Sequence, residues 1–285
     1  EVLWTVVDIT QRVQTQNKIE QLASQLSKYL SPQVYKSIFS GKKNVKIEAY
    51  RKKLTVFFSD IKGFTEITDR LEPEVLSSLL NSYLNEMSQI ALRHGGTIDK
   101  FVGDAILIFF GDPETRGEKE DAKACALMAL EMRERMKHLR KIWEDQGISN
   151  PLEIRIGINT GFCNVGNFGS EDRLDYTIIG GEVNLASRLE SNADPGQILI
   201  SHETYSLIKK DIVCDKKEEL NVKGISHIIQ TYQILDTSEN LKKNNLLLNE
   251  EYEGFNLNID LNVSSKHKVI SSLEGTLSKI KKSMT

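Results

Sequence analysis

The sequence predicts an α+β fold: a ferredoxin-like sandwich in which helices pack on an antiparallel sheet, preceded by a short coiled-coil helix. Three observations carry this. Runs rich in β-branched and aromatic residues, bounded by turn residues, fall at 54–58, 97–110 and 152–158 and read as strands. Two long stretches, 73–94 and 118–143, repeat apolar residues at helical spacing. Their order, strand–helix–hairpin–helix–strand, is the one that places helices on one face of an antiparallel sheet.

The elements follow in turn. Residues 1–9 (EVLWTVVDI) read as a strand separated from its partners. Within 10–30, Ile19, Leu22, Leu26 and Tyr29 are spaced three, four and three apart. This seam suits pairing with its own copy in a parallel coiled coil, and equally one amphipathic helix packed on its own domain. Ser31-Pro32 offers an N-cap and a first-turn proline for a short helix that Gly41 ends. The strand through Leu54–Phe58 leads to Asp60. Pro73 opens a helix carrying Val75, Leu76, Leu79, Leu80, Tyr83 and Met87 on one side, closed by Gly95-Gly96. Thr97–Phe101, the Val102-Gly103-Asp104 turn and Ala105–Phe110 make a hairpin, and 118–143 the second helix. Leu152, Ile154, Ile156 and Ile158 alternate with Glu153, Arg155 and Gly157 as a half-buried strand. Further strands are expected at 162–168 and 173–179, a helix at 182–192 after Gly180-Gly181, and a turn at Asp194-Pro195-Gly196. Edge strands at 197–200 and within 217–236 flank a short helix at 202–209. The tail, 237–285, is rich in Asn, Lys and Ser; 269–282 can form one amphipathic helix, and the tail reads as peripheral.

Composition narrows the function. A chain of 285 residues with net charge −3 does not suit nucleic-acid binding through a basic surface. Three unclustered cysteines, Cys125, Cys163 and Cys214, suggest neither a disulfide framework nor a zinc site, and fit a reducing cytoplasm. No apolar stretch approaches membrane-spanning length, and no signal peptide is recognisable. The chain opens on Glu1 in mid-pattern, which reads as a fragment; any membrane attachment would belong to its parent.

Asp60 and Asp104 each stand at the end of a strongly apolar run. A single Asp beside Gly is ordinarily a turn former. Two such carboxylates on neighbouring strands offer converging hard oxygen ligands, suited to Mg²⁺ or Mn²⁺ against a phosphate. Asn184 and Arg188 are four apart and share one face of the 182–192 helix.

The segments FFSDIKGFT, GGTIDKFVGDAILIFFG, IRIGINTG and DYTIIGGEVNLASRLES, in this order, resemble the catalytic domain of class III nucleotide cyclases. The resemblance covers residues 50–236, and Thr177 at the base-reading position resembles the bacterial and soluble-type adenylyl cyclases. It implies conversion of ATP to 3′,5′-cyclic AMP and pyrophosphate, with two divalent cations, Mg²⁺ or Mn²⁺, held by Asp60, Asp104 and the Ile61 carbonyl. Lys100, four residues before Asp104, and Thr177, seven before Asn184, match the base-reading pair. A lysine ammonium donates to adenine N1, and a threonine hydroxyl can accept from the exocyclic amine. Asn184 would orient the ribose and Arg188 stabilise charge at the α-phosphate, with Arg155 and Lys223 meeting the β- and γ-phosphates. The family's sites form between two head-to-tail subunits, so a homodimer is implied. Residues 1–9 resemble the last strand of a PAS sensor domain, which would make 10–49 a signalling helix and linker below an upstream sensor. A guanylyl cyclase would carry Glu and Cys as base readers; a silent nucleotide-binding or dimerisation module would lack a metal Asp, Lys100 or Arg188. There is no Walker A sequence, no Gly-Gly-Asp-Glu-Phe signature, and none of the five histidines is paired with a nucleophile.

Overall fold

The strand β1 (Glu48–Ile61), fourteen residues long, sets the architecture. Leu54 and Val56 point to one face, Phe57 and Ile61 to the other, and all four are buried. A strand apolar on both sides must be covered on both sides, and each such side chain contributes about 1.5–3 kcal/mol on burial. The computed structural model describes residues 10–39, 46–145, 147–148, 152–220, 228–240, 247–252, 255–260 and 266–283; the expected strand 1–9 and Lys223 lie outside them.

Along the chain, α1 (Thr10–Leu26) and a 3-10 turn (Ser27–Tyr29) lead through α2 (Pro32–Phe39) to β1. A short α3 (Phe64–Thr68) precedes α4 (Pro73–His94) and the hairpin of β2 (Thr97–Val102) and β3 (Ala105–Phe110). Then come α5 (Glu118–Asp145), β4 (Ile154–Gly169), β5 (Leu174–Ile179), α6 (Gly181–Asn192), β6 (Ile198–Ser201) and α7 (His202–Ile208). The sheet is completed by β7 (Ile212–Leu220) and β8 (Ile229–Thr237); a separate hairpin, β9 (Leu247–Tyr252) and β10 (Phe255–Asp260), and α8 (Lys266–Ser283) follow. The main sheet runs β2-β3-β1-β4-β6-β8-β7, with β5 paired to the far end of β4.

The α+β sandwich is as expected, and so is the main helix pair. Pro73 sits in the first turn of α4, and Gly95, at φ 85°, ends it with its N–H directed to the carbonyls of the last turn. Four details differ. First, α4, α5 and α7 cover one face, whereas α6 packs on the other, against Leu54, Val56, Phe109 and Val165. Second, one pair, β4 with β6, is parallel. Third, 152–158 and 162–168 belong to a single strand, β4. Within it Gly157 serves close packing: a Cβ there would stand 2.2 Å from the Ala186 carbonyl oxygen and the Glu190 nitrogen of α6. Fourth, α1 stops at Leu26, leaving Tyr29 in the 3-10 turn. Ile19 and Leu22 are 55% and 51% exposed, so this chain's own domain does not cover the seam. Among the described residues no helix is long and apolar enough to cross a membrane.

Candidate active site

The edge of β1 carries Asp60, which faces Arg155 of β4 across the ladder. Asp104 follows Gly103, whose φ of +64° turns β2 back into β3. Long pairing between β1 and β3 brings that turn beside the end of β1. There Asp104 Oδ2 accepts the Ile61 N–H at 2.9 Å. Burial, then a hydrogen bond to Asp60, push the Asp104 carboxyl up to about 7, while the Ile61 N–H pulls the other way. Two carboxyls in contact, one held from ionising by burial first and by the other second, form a donor set that fits a divalent cation. Among the described residues no group of three or more His, Cys, Asp or Glu gathers at one point. These two aspartates with the Ile61 carbonyl would leave coordination positions for phosphate oxygens and water.

Arg155 is not the solvated strand arginine that such a position ordinarily gives. Its Nη2 lies 2.9 Å from Asp60 Oδ2 and 2.9 Å from Glu190 Oε1 of α6, and Nη1 donates to the Ser191 carbonyl at 3.3 Å. Burial pushes the Glu190 carboxyl up and Arg155 opposes that shift.

The two expected base readers meet through a residue the sequence reading passed over. The β2–β3 register shifts between Ile98 and Lys100, and Asp99 turns inward, its side chain 1% exposed. Thr177 Oγ1 donates to Asp99 Oδ2 at 2.6 Å, the Ile178 N–H donates to the same oxygen at 3.2 Å, and Lys100 Nζ stands 3.3 Å from Oδ1. Burial raises the Asp99 carboxyl, and the Thr177 hydroxyl, Lys100 and the Ile178 N–H each offset it. β2 and β5 are not neighbours in the sheet, and this carboxylate links them. A second buried carboxylate anchors the same corner: Asp112 accepts from Tyr50 Oη at 2.5 Å, Lys52 Nζ at 2.9 Å and the hydroxyl of Tyr176, next to Thr177.

Asn184 and Arg188 lie one turn apart on the exposed side of α6, whose other side buries Leu185, Ala186 and Leu189. Among the described residues neither side chain makes a hydrogen bond or ion pair to Asp60 or Asp104. Three groups result: Asp60, Asp104 and Arg155; Lys100, Asp99 and Thr177; and Asn184 with Arg188. Lys223 lies outside the described residues. Asp99 and Glu190 went unnoticed in the sequence. The signal for Asp99 was its place beside Lys100 in the strand Thr97–Val102; Glu190 had no signal in the sequence, since its position at Gly157 comes from the packing of α6 on the sheet.

Residues 45–236 match the family model described as adenylate and guanylate cyclase catalytic domain. The adenylyl cyclase CyaB from P. aeruginosa is similar in structure, with a TM-score of 0.66 and 64% identity, covering 67% of this chain and 97% of that one. The guanylyl cyclase Cya2 gives a TM-score of 0.65 at 34% identity, covering 68% of this chain and 96% of that one. The adenylate cyclase "terminal-differentiation specific" of Dictyostelium discoideum is 33% identical over 227 residues, 77% of this chain and 10% of that protein. The chain spans between 10% and 51% of the length of the first curated relatives it matches.

Proposed function

The chain belongs to the adenylate and guanylate cyclase catalytic domains, and from this we propose that it converts ATP to 3′,5′-cyclic AMP and pyrophosphate as a head-to-tail homodimer. The observation that carries the choice of ATP is the Lys100–Asp99–Thr177 cluster, which gathers a cationic donor and a hydroxyl at one buried carboxylate. The similarity to an adenylyl cyclase at 64% identity supports the same reading. In the reaction the ribose 3′-oxygen forms a bond to the α-phosphorus as the α–β bridging bond breaks. Pyrophosphate departs, and the hydroxyl proton passes to solvent.

Two Mg²⁺ or Mn²⁺ ions held by Asp60, Asp104 and the Ile61 carbonyl would supply positive charge beside the 3′-hydroxyl and the triphosphate. The chain's own residues do the rest. Lys100 donates to adenine N1 and Thr177 accepts from the exocyclic amine, which fixes the base. Asn184 orients the ribose so that the nucleophile lies in line. Arg188 donates to the α-phosphate oxygens as charge develops there, an interaction strongest in the transition state. Arg155 and Lys223 meet the outer phosphates.

The dimer reading rests on exposure. Asn184 and Arg188 are exposed and, among the described residues, make no hydrogen bond or ion pair to the chain's own aspartates, and beside Asp104 the apolar Phe101 and Val102 are 45% and 60% exposed. A second copy would cover them and bring its α6 to the aspartates, giving two equivalent composite sites. The direct test is to incubate the purified chain with ATP or GTP and Mn²⁺ or Mg²⁺ and identify the product. Cyclic AMP made well above cyclic GMP is expected; cyclic GMP as the main product, or none, contradicts the reading.

A further inference from the structure

We propose that Asp99 is a specificity-determining positioning residue: it fixes the hydrogen-bond polarity of the Thr177 hydroxyl and so selects adenine over guanine. This rests on the adenylyl reading of the site and adds how the selection is made.

A threonine hydroxyl has one hydrogen and two lone pairs and can turn either towards a base. Free to rotate, it would accept from the adenine amine or donate to guanine O6 with similar ease. Lys100 donates to the ring nitrogen N1 and leaves the group at position 6, an amine in adenine and a carbonyl in guanine, to Thr177. In this chain the Thr177 hydrogen is already committed to Asp99 Oδ2, at 2.6 Å. The same oxygen receives the Ile178 N–H at 3.2 Å, and the Lys100 ammonium stands 3.3 Å from the other. With two hydrogen bonds donated to Oδ2 and the Lys100 ammonium beside Oδ1, the group is an acceptor-only carboxylate, so the shared hydrogen belongs to Thr177. What Thr177 then presents to a base is lone pairs alone. An amine is satisfied by them, whereas a carbonyl oxygen meets like charge and stays unpaired, the arrangement by which a site rejects the wrong partner most strongly. The Asp99 side chain is 1% exposed, so water does not stand in for it.

The competing role for Asp99 is a strut tying β2 to β5. A strut would affect both nucleotides equally, whereas a polarity lock changes their ratio. The experiment measures kcat/KM for ATP and GTP with Mn²⁺ on the unmodified chain, Asp99→Ala, Asp99→Asn, Thr177→Val and Asp99→Ala/Thr177→Val. Asp99→Ala frees the hydroxyl, and the ATP:GTP ratio should fall by roughly tenfold or more. Asp99→Asn keeps one acceptor oxygen in a nearly identical shape, and its ratio should lie between the two. In the Thr177→Val background there is no hydroxyl to orient, so adding Asp99→Ala should leave the ratio within about twofold, the signature of action through Thr177. Equal losses for both nucleotides, with the ratio unchanged in Asp99→Ala and Asp99→Asn, overturn the proposal. Should Asp99→Ala not fold, the Asp99→Asn ratio decides by the same criterion. An unmodified chain that does not prefer ATP refutes the adenylyl reading itself, before any variant is compared.

Discussion

Arg155 and Asp60 face each other across the β1–β4 ladder and are joined by a 2.9 Å ion pair. The carboxylate expected to hold a cation is thus held by an arginine, which Glu190 grips from the other side, also at 2.9 Å. Both proposed roles, Asp60 on a metal and Arg155 on the outer phosphates, require this pair to open. The opening is inexpensive when a cation takes the arginine's place beside Asp60 and a triphosphate takes the carboxylate's place beside Arg155, because each charge exchanges one partner for another.

Replacing Arg155 therefore acts in two directions. Arg155→Ala should raise KM for ATP by about tenfold, the loss of a charge-assisted contact of about 1.4 kcal/mol. Mn²⁺ binding without nucleotide should become no weaker, since Asp60 has lost a competing cation. Steady-state kinetics and a Mn²⁺ titration check the two halves; an unchanged KM together with weakened Mn²⁺ binding would show that Arg155 only shapes the metal site.

The Asp104 carboxyl gives a pH signature. Unfolded, an aspartate titrates near about 4; in the folded, metal-free chain Asp104 is pushed up to about 7. The folded state then binds the extra proton, so this group's contribution is fully present below about pH 4 and is lost as pH rises to about 7. Divalent cations reverse the trend because they need ionised ligands. The rise in Tm on adding Mn²⁺ should be larger above about pH 7 than near about pH 5. Asp104→Asn should remove that difference; a Mn²⁺ effect equal at both pH values in the unmodified chain would contradict the assignment.

Base preference should follow the reading pair. Lys100→Glu with Thr177→Cys replaces the adenine pattern by the one expected of a guanylyl cyclase, and the ratio of GTP to ATP turnover should rise. Overall turnover should drop, since Asp99 and the Tyr176–Asp112 anchor are set for the original side chains. Product ratios by chromatography settle it: an unchanged ratio would remove Lys100 and Thr177 from base reading.

Much of this was legible in the sequence where a residue's type and its period agree. The alternation of Leu54–Phe58 and the spacing along α4 follow from burial, and Asp60 and Asp104 stand out because each lies beside a strongly apolar run, Leu54–Phe58 and Ala105–Phe110. What was hidden depends on pairing at a distance. Gly157 reads as one more position of an alternating strand, yet it is the place where α6 lies on the sheet at backbone contact. That same contact puts α6 on the opposite face from α4 and α5, which no local pattern encodes. Asp99 is buried where the β2 register shifts and where Thr177 and Ile178 of β5 donate to it; taken singly, Asp-Lys on a hairpin looks like a solvated pair.

The central claim is that each site takes its aspartates from one chain and its base- and ribose-binding residues, with Arg188, from another. Asp60→Ala chains keep Lys100, Thr177, Asn184 and Arg188; Arg188→Ala chains keep both aspartates. Either variant alone should lose turnover by ~10²-fold or more. In a mixed dimer, one site is complete and the other doubly defective. Mixing equal amounts, with subunit exchange verified by differently labelled chains, should restore roughly a quarter of the unmodified activity, since half the dimers are mixed and each has one working site of two. Activity that stays at the level of the separate variants would place the whole site within one chain and contradict the account.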